Sequence, residues 1–272
     1  MPELPEVQTV VTGLRSQVLG KRVLSVTNSG KNLRYPLPNF EILLNSAIVD
    51  ITRRAKYLLF HFENGFTLLW HLGMTGQFHV LTKSEPVTKH EHITFTFNDN
   101  STLRYRDVRR FGYAGICKAN KLTEHAWINK LGAEPLTKDF DAKHLQNMLK
   151  NKKISIKQAI MDNTVVVGVG NIYASESLFR AQIHPTTSSN TLSLQKLKTL
   201  VQHIKSVLNE AIAAGGSTIS DFVKADGRPG YFAHSFKVYG REGKPCLVCT
   251  NPIERIVQNG RASFLCAKCQ VK

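Results

Sequence analysis

The sequence predicts an α+β protein: a leading helix, an antiparallel β-sandwich, then a helical part that ends in a small cysteine-rich ribbon. Three observations carry this expectation. Apolar residues recur at helical spacing near the N-terminus and again after residue 140. Short β-like runs separated by polar turns fill the stretch between, and four cysteines stand in two pairs near the C-terminus. With 272 residues the chain has enough length for two compact domains and too much for one small core.

Val7, Val10, Val11, Leu14 and Val18 make one apolar face over residues 5–19, and Gly20 follows as a stop. From about Arg22 to Lys118 the pattern becomes short strands. Residues 57–62 and 66–72 flank Asn64-Gly65, a strong hairpin signal, and residues 92–97 and 102–107 flank the weaker Asp99-Asn100. Residues 119–138, with Gly132 and Pro135, read as a connector. Helical patterning returns at residues 142–150, 155–161, 171–179 and 193–214. The last carries the stripe Leu194, Leu197, Val201, Ile204, Leu208 and Ala211, expected to face a core, and Gly215-Gly216 ends it. Gly227, Pro229 and Gly230 mark a loop expected to move.

The charge balance points to a partner. Thirty-six Lys and Arg against 20 Asp and Glu leave +16, an excess that draws polyanions. Nucleic acid is the expected one, because neutralising its phosphates releases counterions. No apolar run reaches the ~18 residues of a membrane span. The N-terminus lacks the basic and apolar blocks of a secretory signal, so a cytoplasmic protein with no membrane partner is expected.

Cys246-x2-Cys249 and Cys266-x2-Cys269 are separated by 16 residues. Two turns at this spacing offer four thiolates to one tetrahedral Zn(II), a better fit than paired disulfides or an iron–sulfur cluster. With four protein ligands no position is left for a reactive water, so the ion is expected to be structural. Arg255, Arg261 and Asn259-Gly260 between the pairs suggest a basic hairpin tip, and Cys117 stands apart as an expected core thiol. Gly168-Val169-Gly170-Asn171 invites comparison with a dinucleotide fingerprint. Tyr173 occupies the third glycine position and no βαβ pattern surrounds it, so that reading is excluded. Glycines before a helix still present backbone N–H groups to phosphate.

Pro2 would become a free secondary amine on removal of Met1. Such an amine can attack a sugar C1′, with Glu3 beside it as a proton donor. The same residues also suit an ordinary helix start. The wider context favours the chemistry. The opening Met1-Pro2-Glu3-Leu4-Pro5-Glu6-Val7 closely resembles that of the formamidopyrimidine-DNA glycosylases, the Fpg/MutM family. So do Arg53-Arg54-Ala55-Lys56, His71-Leu72-Gly73-Met74-Thr75-Gly76, Lys89-His90-Glu91-His92 and Arg109-Arg110-Phe111-Gly112. Further along the same holds for Met161-Asp162-Asn163, Val169-Gly170-Asn171, Ser175-Glu176, Asp226-Gly227-Arg228-Pro229-Gly230 and the four cysteines with Arg261-Ala262-Ser263-Phe264. These landmarks follow the family's order over almost the whole chain.

The resemblance implies a sandwich domain over residues 1–130, a helical domain with a helix–two-turns–helix element over 131–222, and a lid loop with a zinc finger over 223–272. It implies a monomeric, bifunctional glycosylase and abasic-site lyase acting on double-stranded DNA that carries oxidised purines or abasic sites. Pro2 matches the Schiff-base nucleophile, Glu3 the general acid and Glu6 a carboxylate lining the site. Lys56 matches a lysine that contacts phosphate and takes part in proton transfer. Met74, Arg109 and Phe111 match the residues that fill the gap left by an extruded base. His90, Lys152, Lys157 and Asn171 match DNA contacts. Arg261 matches a phosphate-gripping arginine that assists the second elimination. Alternation would place His90 and His92 on one strand face, a metal pair that lacks further ligands. The competing readings are an endonuclease VIII-like enzyme for oxidised pyrimidines and a non-catalytic zinc-ribbon DNA-binding protein.

Overall fold

The computed structural model describes residues 1–83, 85–217 and 235–272. The expected lid, with Gly227, Pro229 and Gly230, lies outside the described residues. The chain divides into two compact units. The first comprises Met1–Asn129 together with the chain from Gly215, and the second comprises Lys130–Ala214 and the C-terminal residues.

The first unit opens with α1 (Leu4–Val18), capped by Glu3 and Glu6 in a capping box. Its buried Val7, Val10, Val11, Leu14 and Val18 join the sandwich core. Eight strands follow: β1 (Val23–Asn28), β2 (Ile48–Arg54), β3 (Tyr57–Phe62), β4 (Phe66–His71), β5 (Gly76–Leu81), β6 (Glu91–Phe97), β7 (Thr102–Asp107) and β8 (Tyr113–Lys118). They form two four-stranded antiparallel sheets, ordered β1-β6-β7-β5 and β2-β3-β4-β8. The core is largely aromatic. Trp70 packs its ring 4.6 Å from Tyr105 and 5.0 Å from Phe78, and all three side chains are almost wholly buried. Offset and edge-on packing of this kind adds to the area that the rings bury.

Three local expectations are corrected here. Residues 119–138 are not a bare connector, since Ala119–Glu124 winds into a 3₁₀ helix. Just beyond it, Trp127 stacks on Tyr35 and Tyr57, contacts between distant residues that no local pattern announces. Cys117 is half-buried near the end of β8 rather than in the core. His90 sits in a turn before β6 and not on the strand. Both nitrogens of His92 are engaged, by Ser29 Oγ (3.0 Å) and by the Asp107 carbonyl (3.0 Å), which removes the metal-pair reading.

The second unit contains α2 (Ala142–Leu149), α3 (Ile156–Met161), α4 (Asn171–Arg180) and α5 (Leu194–Ala213). Ser155 and Ser193 cap α3 and α5 by accepting backbone N–H groups. The buried face of α5 follows the expected stripe from Leu197 onward and adds Leu200 and Val207, while Leu194 at its first turn is half-buried. β9 (Glu254–Gln258) and β10 (Arg261–Leu265) form a hairpin, and a small cluster of Phe179, Val238, Cys246, Ile253 and Cys266 lies beneath it.

Candidate active site and nucleic-acid interface

In the first unit, the start of α1 places Pro2 in a buried position beside Glu3, which is itself only 3% exposed, while Met1 remains exposed. Glu6 organises this corner. One carboxylate oxygen accepts the Glu3 backbone N–H at 2.9 Å, and the other accepts both the N–H and the hydroxyl of Ser217 at 2.9 Å. A buried carboxylate with three donors is well compensated. Glu6 therefore fixes the backbone around Glu3 and joins it to Ser217.

Lys56 lies in the two-residue turn between β2 and β3, not on a strand, and is largely buried. Its partner in that turn, Ala55, has a left-handed backbone at φ 53°, an uncommon conformation for a residue with a Cβ. Nearby His71 is held neutral: burial first, then the positive charges of Lys56 and Arg34, lower its pKa to about 4. Its Nδ1 accepts the Gly73 N–H at 3.0 Å, and its ring stacks on Tyr113.

Met74 and Phe111 are exposed on two adjacent loops. The Arg109 guanidinium lies 4.7 Å from the centre of the Phe111 ring, a cation–π contact. The loops touch so closely that a Cβ on Gly73 would fall 2.4 Å from the Gly112 nitrogen. Met74, Arg109 and Phe111 are thus brought together.

In the second unit a cleft of about 260 Å³ is lined by Lys157, Asn171, Asn259 and Arg261, with Gln158, Met161, Asp162 and Gln258. Asn171 opens α4 and donates to the Ala262 carbonyl at 3.0 Å. Lys152 pairs with Asp162 at 3.2 Å. Lys157, expected as a DNA contact, is tied into the zinc hairpin. It is only 2% exposed, and its ammonium donates to the Ala262 carbonyl and the Ser263 hydroxyl. These bonds tie α3 to β10, the strand that lies against α4. Arg261 stays exposed at the hairpin turn.

The sulfurs of Cys246, Cys249, Cys266 and Cys269 all lie within 4.8 Å of one another, the one such group among the described residues. The Cys246–Cys269 and Cys249–Cys266 sulfurs are 3.9 and 3.4 Å apart. Tetrahedral Zn(II) with 2.3 Å bonds requires edges of about 3.8 Å. The four thiols therefore fit one structural zinc ion. Glu176 was given no role from the sequence beyond its place in a landmark, yet its buried carboxylate accepts the backbone N–H groups of Lys237, Val238 and Tyr239 at 2.8–3.0 Å. An acid inside an otherwise buried helix segment was the available signal.

Family models account for most of the chain. The formamidopyrimidine-DNA glycosylase N-terminal domain matches residues 1–114, the H2TH domain of the same glycosylase matches 131–223, and the zinc finger found in FPG and IleRS matches 243–271. The chain belongs to the formamidopyrimidine-DNA glycosylase family. It is 43% identical to formamidopyrimidine-DNA glycosylase of Bartonella henselae, covering 99% of this chain and all of that one. Against the enzyme of Rickettsia africae it is 45% identical over 99% of both. The crystal structure of the MutM (Fpg) protein from Thermus thermophilus superposes with a TM-score of 0.90 at 37% identity, covering 99% of this chain and 98% of that one. A complex between Lactococcus lactis Fpg and DNA containing an abasic site gives 0.92 at 35% identity, covering 99% and 100%. The sandwich, the H2TH helices and the four-cysteine finger are therefore the family's fold.

Proposed function

We propose that this chain is a bifunctional DNA glycosylase and abasic-site lyase of base excision repair. It removes oxidised purines, 8-oxoguanine and formamidopyrimidines, from double-stranded DNA. The observation that carries this reading is the match to all three family models in order, with Pro2 and Glu3 at the start of α1. Solved relatives hold DNA containing Fapy-dG or carbocyclic 8-oxo-G, which supports oxidised purines over the pyrimidine lesions of the endonuclease VIII reading.

The residues take the following roles. Once Met1 is removed, the Pro2 nitrogen attacks C1′ of the damaged nucleotide. The glycosidic bond breaks and its electron pair leaves with the base, while Glu3 donates a proton as the sugar opens. The resulting iminium acidifies the C2′ hydrogen. Loss of that proton expels the 3′ phosphate by β-elimination, and a second elimination releases the 5′ phosphate. Lys56 contributes a positive charge to phosphate and proton transfer. Met74, Arg109 and Phe111 occupy the gap in the duplex and recover part of the unstacking cost of a few kcal/mol. His90, Lys152, Asn171 and Arg261 contact the DNA backbone, and Arg261 assists the second elimination. Lys157 acts through the zinc hairpin that it holds. Zn(II) bound to the four cysteines would supply a structural cross-link and no reactive water.

Chemistry falls to residues 1–130 and backbone grip to the helical and zinc-finger parts. The proposed enzyme is a monomer in the cytoplasm, associated with the nucleoid. No helix among the described residues is long and apolar enough to cross a membrane.

The test is incubation of the purified protein with an 8-oxoguanine duplex and a thymine glycol duplex, with and without borohydride. Preferred excision of 8-oxoguanine and a trapped covalent adduct are expected, and Pro2→Gly is expected to cut trapping by ~100-fold or more. Binding without cleavage would favour the zinc-ribbon binding protein. Undiminished trapping by the variant, or full activity with Met1 still attached by mass spectrometry, refutes the nucleophile.

A further inference from the structure

Met74 belongs to the β4–β5 connection, and Arg109 and Phe111 to the β7–β8 connection. Side chains on two separate loops would move independently unless something joined the loops. The join is a buried polar node. Thr75 Oγ1 donates to Asp107 Oδ1 at 2.5 Å and accepts the Arg109 backbone N–H at 3.1 Å. The other Asp107 oxygen accepts the Gly112 N–H at 2.8 Å and faces the Tyr105 hydroxyl at 3.2 Å. Asp107 and Tyr105 are fully buried, and Thr75 is 8% exposed.

The surrounding backbone admits no slack. A Cβ on Gly76 would lie 2.2 Å from the Tyr105 hydroxyl, and one on Gly112 would lie 1.8 Å from it. On the far side of Met74, His71 holds the Gly73 N–H. The Met74 loop is therefore tied at both flanks, and the Thr75 hydroxyl reaches across to the Arg109 backbone.

We infer that Thr75 is a positioning residue. Its hydroxyl couples the Met74 loop to the Arg109–Phe111 loop, so that the three inserting side chains enter the duplex as one rigid wedge. The inference rests on the reading of Met74, Arg109 and Phe111 as that wedge. The hydroxyl is essential because it does two things at once, donating to a buried carboxylate and receiving a backbone N–H. A methyl in its place leaves the Arg109 N–H and one Asp107 oxygen without that partner, although the volume is conserved.

Thr75→Val and Thr75→Ser separate the hydroxyl from bulk. Two substrates are compared: 8-oxoguanine opposite cytosine in a duplex, which needs the wedge, and a preformed abasic site in a single strand, which does not. Single-turnover excision from the duplex is expected to fall at least tenfold in Thr75→Val and to stay within threefold of wild type in Thr75→Ser. Strand cleavage at the single-stranded abasic site is expected to be unchanged in both. Wild-type duplex excision by Thr75→Val overturns the assignment. So does an equal loss in Thr75→Ser, which would mark bulk as the cause, or an equal loss on both substrates, which would mark a folding role. A Met74→Ala, Phe111→Ala double variant with undiminished duplex excision would instead overturn the underlying wedge reading.

Discussion

Two hairpins in this molecule turn through the same dipeptide and are built on different physics. Asn64-Gly65 links β3 to β4 in the sandwich, and Asn259-Gly260 links β9 to β10 in the zinc finger. In the finger both turn residues are left-handed, at φ 47° and 71°, and Gln258 pairs directly with Arg261. That is the two-residue turn that Asn-Gly favours when nothing else intervenes. In the sandwich only Gly65 is left-handed, at φ 79°, and its N–H returns to the Phe62 carbonyl, giving a wider loop. Asn64 is turned outward to serve neighbours, donating to the Ile42 carbonyl through its side chain and to Ser46 Oγ through its backbone. Strand register in the sandwich is set by Leu58, Phe60, Leu68 and Trp70, which must face the core. In the finger the inward face is smaller, with Ser263 and Leu265 of β10 buried and Val257 of β9 exposed, and the four cysteines hold the module. A dipeptide signals a turn, and the surroundings choose which turn.

The contrast predicts what each half should survive. Chelation of zinc removes the cross-link that a finger of this size depends on, a loss of order 10 kcal/mol for such sites. Residues 243–271 are expected to unfold and DNA affinity to collapse, while near-ultraviolet signals from the sandwich aromatics persist. Concerted loss of both signals would break the distinction. Trp70→Ala strikes the sandwich instead and is expected to cost about 3–5 kcal/mol in denaturant unfolding. Val257→Ala on the finger is the counterpart, expected to stay within about 0.5 kcal/mol. Similar costs for the two would mean that the exposed face of β9 carries as much stability as the sandwich core.

Between those extremes stands His71. Its folded pKa of about 4 lies below the unfolded 6.5, so the neutral ring contributes stability that is fully present above pH 6.5. That contribution drains away as the pH falls toward 4, by roughly 3 kcal/mol in all. His71→Asn should flatten the stability profile of the first unit across that window. An unchanged slope there would show that the acid sensitivity comes from other groups.

Much of the site could be read from the chain as text. Pro2 and Glu3 follow the start, the cysteine spacing declares a four-thiolate site, and the valines of α1 mark its buried face. These features are local, fixed by neighbours a few residues away, and local pattern is what a sequence displays directly. Lys157 illustrates the limit. Its type and position match a DNA contact, and nothing local announces that its ammonium is buried against Ala262 and Ser263, more than 100 residues away.

The amino-acid order by itself determined the proposed reactive groups, the metal ligands and the run of helices and strands. Only the tertiary structure decided that Glu6 would serve Ser217, 211 residues distant, that Glu176 would gather three backbone N–H groups, and that Thr75 would bridge two loops. A buried polar atom must find a partner wherever folding brings one. Which partner that is depends on strand order and close backbone approach, and neither has a period along the chain.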